Sequence, residues 1–249
     1  MLAVFDKTVA KSPEGLRTED AGEPHVAGSL VDDFCSARKG AVAVNLGASG
    51  AIAYSSEKQN PLLPRLFAVV DDIFCLFEGS IENIFPLKQQ YGLNKTANEV
   101  TIVIEAYKTL RDRGPYPADQ VVRDLRGKFA FILYDSLSKA TFIAADADES
   151  VPFFWGTDSD GRLVLSDDSD TIKKGCGKSF APFPKGCFFT TSGGLQSYEH
   201  PLNALKPMPR VDSQGQVCGS TFKVDESSKK ESTSGMRKVD SAANWSGHY

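Results

Sequence analysis

Arg126-Gly127-Lys128-Phe129-Ala130-Phe131-Ile132-Leu133-Tyr134-Asp135 reads as a strand that cannot face water on either side. Between a glycine and an aspartate, the run from Phe129 to Tyr134 is wholly apolar or aromatic, so an extended chain there presents large side chains to both faces of a sheet. A run of this length bounded by turn residues is strand-sized, whereas a buried helix needs roughly 10 residues or more. Working outward, comparable runs occupy Ala41 to Asn45, Ala51 to Tyr54, Leu66 to Val70, Ile73 to Phe77 and Thr141 to Ala145.

Helical patterns interrupt these strands. From Thr96 to Arg113, Val100, Val103, Ile104, Tyr107 and Leu110 recur at helical spacing and form one apolar stripe. The stripe stops at Arg111-Asp112-Arg113-Gly114-Pro115, where cations meet the negative end of the dipole and a glycine and a proline follow. A short helix carrying Val121, Val122 and Leu125 is expected after Pro117, with two more over Ser29 to Arg38 and Ile81 to Tyr91. Strands resume over Leu163 to Leu165, Cys187 to Thr190 and Gln196 to Tyr198, separated by glycine-containing turns. Many strands in hairpin order with a few covering helices imply an α+β layered sandwich.

With 249 residues, 41% hydrophobic and 24% charged, the chain can bury a full core. From Asp225 to Tyr249 apolar residues nearly vanish while serines and lysines accumulate, so the composition divides the chain into a folded unit, 1–224, and a disordered tail, 225–249. A net charge of -4 without a Lys/Arg run disfavours nucleic acid and anionic membranes as partners, and no stretch approaches the roughly 20 apolar residues of a membrane span. Five widely spaced cysteines without a Cys-x-x-Cys pair suit reduced thiols in the cytoplasm, and nuclear entry is compatible with the same composition.

Three further groups of residues carry a resemblance. Arg126 to Asp135, followed by Ala144-Ala145-Asp146, Val151-Pro152-Phe153-Phe154-Trp155-Gly156 and Gly161-Arg162-Leu163, resembles the glutaminase domain of asparagine synthetases. Phe183-Pro184-Lys185-Gly186-Cys187-Phe188-Phe189 and Gly193-Gly194-Leu195-Gln196-Ser197-Tyr198 look like the hairpin that closes that domain. Tyr91-Gly92-Leu93 and Leu110-Arg111-Asp112-Arg113 look like the signatures of the plant aluminium-induced, stem-specific protein family, whose members respond to stress or hormones. The resemblance implies a class-II glutamine amidotransferase-like unit with the N-terminal-nucleophile fold, a four-layer αββα sandwich of two antiparallel sheets.

The chemistry that the resemblance implies is missing from the matching positions. The family's nucleophile is a cysteine at position 2 whose own α-amine is the base, and Leu2 stands there, too bulky to favour removal of Met1. The family's oxyanion hole is an Asn-Gly-Glu motif, and Phe77-Glu78-Gly79-Ser80 takes its place. An ionised Glu78 cannot donate a hydrogen bond and opposes a developing oxyanion; loss of one such donor costs roughly 3 to 4 kcal/mol. The arginine that grips the substrate carboxylate is absent from Ala53-Tyr54-Ser55-Ser56-Glu57, its place being near Ser56, and the aspartate that grips the substrate ammonium is replaced by Ala97. Leu2, Ser56, Glu78, Gly79, Ser80 and Ala97 are therefore expected to be pocket positions without a catalytic role.

Other motifs resolve to simpler readings. Gly175-Cys176-Gly177-Lys178-Ser179 ends like a phosphate loop, but Ile172 occupies the required first glycine, so a hairpin turn is expected. Asp158-Ser159-Asp160-Gly161 lacks the later ligands of a calcium loop and reads as a tight turn, and Ser166-Asp167-Asp168-Ser169-Asp170 reads as a solvated one. His25, His200 and His248 have no metal-ligand spacing, so neither a metal nor a cofactor is expected. Arg111 and Arg113 are expected to close their helix and pair with acids, and the Ser/Lys tail is either a phosphorylation switch or a solubilising segment.

The expectation is a non-catalytic binding or regulatory module. Its partner would be a small molecule, a protein or a second copy in a homodimer. Two alternatives remain: an enzyme that uses Glu78, Ser80 or a nearby cysteine on another amide or amino-acid derivative, and a homo-oligomeric interaction module. The first requires a perturbed Glu78 with a polar partner in reach.

Overall fold

The computed structural model describes residues 1–17, 27–57, 59–113, 118–211, 215 and 217–229. Its centre is the ladder between β5 (Ile73–Ile81) and β6 (Gly127–Asp135). Period-2 alternation splits the quoted stretch into two functional faces. Phe129, Phe131 and Leu133 face a helical layer, whereas Ala130, Ile132 and Tyr134 face a second sheet. Both faces are buried, as the unbroken apolar run requires.

This sheet has the order β12-β11-β7-β6-β5-β4, with β4 at Arg65–Val70, β7 at Ala140–Ala145, β11 at Cys187–Thr190 and β12 at Gly194–Ser197. The second sheet has the order β10-β8-β9-β1-β3-β2, formed by β1 (Leu2–Phe5), β2 (Val42–Asn45), β3 (Gly50–Tyr54), β8 (Phe154–Thr157), β9 (Leu163–Ser166) and β10 (Phe180–Pro182). Their strand pairs are antiparallel. Phe5, Trp155, Leu165, Ile132 and Phe189 fill the space between the sheets. Helices α2 (Ile84–Gln90), α3 (Glu99–Arg113) and α4 (Ala118–Asp124) cover one outer face; α1 (Ala27–Ala37) and α5 (Ser169–Cys176) cover the other. Four layers, αββα, result, held chiefly by apolar burial worth roughly 1.5–3 kcal/mol for each large side chain removed from water.

The two short motifs prove to be structural. Tyr91-Gly92-Leu93 closes α2: Gly92 takes a φ of 64°, its N–H donates to the Gln89 carbonyl and that of Leu93 to Lys88, the double bond of a helix ending in a left-handed residue. In Leu110-Arg111-Asp112-Arg113, Arg111 ties α3 to the end of β6 by donating to the Asp135 carboxylate at 3.2 Å, while Tyr107 donates to the same oxygen at 3.0 Å. Burial pushes the Asp135 carboxyl up, but bonds from Ser138, Arg111 and Tyr107 outweigh it and hold the group below the usual carboxylate range. Gly114 and Pro115, the expected stop, lie outside the described residues.

Three readings need correction. Residues Ser169–Cys176 form a helix, with the Asp168 side chain accepting from the Asp170 N–H at its start, so Gly175-Cys176-Gly177 is a helix end and not a hairpin turn. Asp167 is no part of a solvated turn, since its side chain is 3% exposed. β14 (Val217–Lys229), paired with β13 (Asn203–Val211), carries strand structure past Val224, where composition ends the folded unit. The remainder of that segment, 230–249, lies outside the described residues, as do His25 and His248.

Two glycines separate conformational from steric cost. Gly92 has open space around the position of a Cβ, so Gly92→Ala should lower stability by about 1 kcal/mol. Gly79 combines a φ of 130° with a backbone approach in which a Cβ would strike the Lys128 carbonyl oxygen, and Gly79→Ala should cost at least about 3 kcal/mol. Urea unfolding of both variants measures the difference; equal costs would show that the close β5–β6 approach is not a constraint.

Candidate functional site

At the end of the sandwich where β1 begins, four ionisable groups from four segments meet. Glu78 shares the inward face of β5 with Leu76, and its register partner on β4 is Arg65. Asp167 directly follows β9, and the Met1 α-ammonium precedes β1. Arg65 Nε lies 2.6 Å from an Asp167 oxygen and 3.3 Å from a Glu78 oxygen; the Met1 ammonium donates to Asp167 at 2.6 Å. Arg65 also donates from Nη1 to the Glu57 carbonyl at 3.0 Å, and Ser166 donates to the Met1 carbonyl at 2.8 Å. Asp167 and Glu78 side chains are only 3% and 6% exposed, so the two carboxylates are held as buried neighbours across one guanidinium.

The surroundings set the proton affinities. Burial, followed by the charge of Asp167, pushes the Glu78 carboxyl up to about 7, against the pull of Arg65 and the ammonium. Burial likewise pushes the Met1 amine below its ordinary value, opposed by Asp167. In front of the cluster opens a cavity of about 600 Å³ lined by Arg65, Asp167, Glu57, Arg38, Phe34 and Phe154, among others. Arg38 crosses its wall, donating to Asp168 at 2.7 Å with its guanidinium 3.9 Å from the Phe34 ring centre.

The structure brings only part of the sequence-derived set together. Glu78 is in the cluster, and Gly79 adjoins it, but the Gly79 N–H donates to the Pro64 carbonyl at 3.1 Å. Ser80 is half-buried on β5, opposite Lys128. Leu2 is fully buried toward α1 and α5 with Leu30, Phe34 and Ile172 and does not line the cavity. Ser56 is exposed beside Glu57, and Ala97 lies in the turn before α3, its N–H donating to the Asn94 carbonyl. Arg65 carries no signal in the sequence, and Asp167 enters it only within the Ser166-Asp167-Asp168-Ser169-Asp170 run expected to be solvated. Asp158-Ser159-Asp160-Gly161 is the expected turn, its Asp158 carboxylate accepting from the N–H groups of Asp160 and Arg162. Among the described residues no group of three or more His, Cys, Asp or Glu side chains could hold a metal ion, and no helix is long and apolar enough to cross a membrane.

Residues 2–224 match the family described as aluminium induced protein. The chain belongs to that family. It is 41% identical over 148 residues to the stem-specific protein TSJT1 of Nicotiana tabacum, an alignment covering 58% of this chain and 99% of that one. It is also similar to asparagine synthetase B [glutamine-hydrolyzing] of Escherichia coli (strain K12), with 29% identity over 126 residues, 49% of this chain and 21% of the synthetase. The chain thus spans about a fifth of the length of that synthetase. Glutamine phosphoribosylpyrophosphate amidotransferase from B. subtilis superposes with a TM-score of 0.44 at 18% identity, over 62% of this chain and 36% of that one.

Asp167 is the hinge of the cluster's charge balance. Asp167→Asn removes the carboxylate that, among the described residues, meets both cations and should lower stability by roughly 3 kcal/mol, the scale for breaking a buried pair. Asp170→Asn, at an exposed side chain, should change it by less than about 0.5 kcal/mol. Similar losses in denaturant unfolding for both variants would refute the structural role assigned to Asp167.

Proposed function

We propose that this chain is an amidotransferase-like module that binds and does not turn over its ligand, acting in the stress or hormone responses of a plant. The carrying observation is that each group positioned to serve glutamine chemistry is already engaged. The amine is ion-paired to Asp167, the Gly79 N–H is bonded to Pro64, and the position of the oxyanion donor carries the Glu78 carboxylate. No side chain at position 2 reaches the cavity, because Leu2 points into the helix-side core. The open cavity lined by both charged and aromatic residues is the place for a small molecule or the tip of a partner protein. Free thiols at Cys35, Cys75, Cys176 and Cys187 suit a reducing, cytoplasmic setting, with nuclear entry compatible.

A second reading has its own observation. Glu78, raised to about 7 with Arg65 at 3.3 Å, has the proton affinity of a general acid or base, the condition required for an enzyme acting on another amide or amino-acid derivative. Against it, Glu78 is not among the residues lining the cavity; Arg65 and Asp167 are.

The readings separate in one assay series. The purified chain and Leu2→Cys are incubated with L-glutamine and a panel of amino-acid amides, and released ammonia is followed. Neither protein should exceed background: even where Leu2→Cys allows Met1 to be removed and leaves a cysteine amine at the N-terminus, Glu78 stands at the position of the oxyanion donor and the Gly79 N–H stays bonded to Pro64. Saturable release that disappears in Glu78→Gln would establish the second reading instead.

A further inference from the structure

The cluster joins the two sheets: Arg65 and Glu78 belong to one, while Asp167 and Met1 adjoin β9 and β1 of the other. We infer that Glu78, Asp167, Arg65 and the Met1 ammonium form a proton-operated latch across the sandwich, tighter with Glu78 protonated than with Glu78 ionised. The inference rests on reading the cluster as a non-reacting centre.

The arrangement of the charges drives it. With Glu78 ionised, two carboxylates share Arg65: Asp167 lies 2.6 Å from Nε and 2.6 Å from the ammonium, while the Nε–H donates to Glu78 at 3.3 Å and leaves Asp167 Oδ2 without a hydrogen-bond partner among the described residues. The negative charge of Glu78 is buried beside that of Asp167. A proton on Glu78 removes that repulsion and turns an acceptor into a donor in a site where burial makes an uncompensated charge costly. The charged groups facing Glu78 are Arg65 from β4, Asp167 from the end of β9 and the ammonium ahead of β1; Ala130, its partner on β6, brings none. Because Arg65 and Asp167 also line the cavity, a change in how Arg65 is shared is transmitted to the binding surface without any movement of the sheets.

The sign follows from linkage. Glu78 binds its proton more tightly folded than unfolded, so the fold takes up a proton between about 4.5 and about 7 and loses stability as pH rises through that window. The Met1 amine, held by burial below its ordinary value of 8.0, contributes in the opposite sense in the window beneath that value. Glu78→Gln isolates the Glu78 part, because glutamine keeps the shape and donor capacity of the protonated acid without its titration.

The experiment is thermal unfolding of the full chain and of Glu78→Gln between about pH 5.5 and about pH 8.5. The expected result is a midpoint falling by roughly 5 °C across that range in the native chain and by much less in the variant. A second measurement needs no variant: infrared spectra of the native chain should show a buried protonated carboxyl at the acid end that disappears on passing through neutrality. Parallel pH profiles for the two proteins, or no protonated carboxyl at the acid end, would overturn the latch while leaving the non-catalytic reading standing; turnover in the amide assay would instead remove that reading.

Discussion

Burial of β5 and β6 on both faces obliges the carboxylates enclosed at the ends of their ladder, Asp135 and Glu78, to find their partners inside the protein. The two ends answer differently. At one, the Asp135 carboxylate collects Tyr107, Arg111 and backbone N–H groups of Leu137 and Ser138, so a single negative charge is amply matched. At the other, Glu78 accepts one Arg65 Nε–H at 3.3 Å while Asp167 crowds the same nitrogen at 2.6 Å. The first arrangement fixes a helix to a sheet; the second leaves one carboxyl poised between protonation states. The difference lies in the donors: Asp135 accepts from Tyr107 and two backbone N–H groups besides Arg111, which also pairs with Asp112, while Glu78 accepts the Arg65 Nε–H at 3.3 Å beside the Asp167 charge.

That contrast gives the αββα frame a different centre from the one its sequence relatives suggest. A shared layer architecture carries no particular chemistry with it. Here the end of the sandwich beside β1 holds a nearly closed set of ion pairs and hydrogen bonds, and the cavity in front of it is bounded by Arg65 and Asp167, groups that already hold each other. An incoming ligand must compete with, or rearrange, those contacts. A surface of this kind suits selective binding, because a ligand lacking matching polar groups would leave buried charges without partners.

Much of the frame was legible from local pattern. The apolar run of β6 and the stripe of α3 each depend on residues within a few positions of one another, and both are legible for that reason. The helix α5 was missed because Gly175 and the acids at its start look like turn residues. Its glycine sits against the end of the Leu30 side chain, where a Cβ would displace it, and Asp168 caps the first turn. A signal was available in Thr171, Ile172, Gly175 and Cys176, which lie on one face of a helix and are buried together. Arg65 and Asp167 had no local signal. Their meeting depends on two sheets stacking, and nothing in an edge strand or in a serine- and aspartate-rich stretch announces a partner a hundred positions away. Glu78 was found only because a family motif drew attention to its position.

The central claim is that the charges at the end of β1 serve one another and not a glutamine molecule. Titration calorimetry of the native chain with L-glutamine tests it most directly, since Arg65 is held by Asp167 and Glu57. The account predicts no saturable heat at millimolar-scale glutamine; saturable binding that is lost in Arg65→Gln would show that the cluster opens to the amino acid and would contradict it.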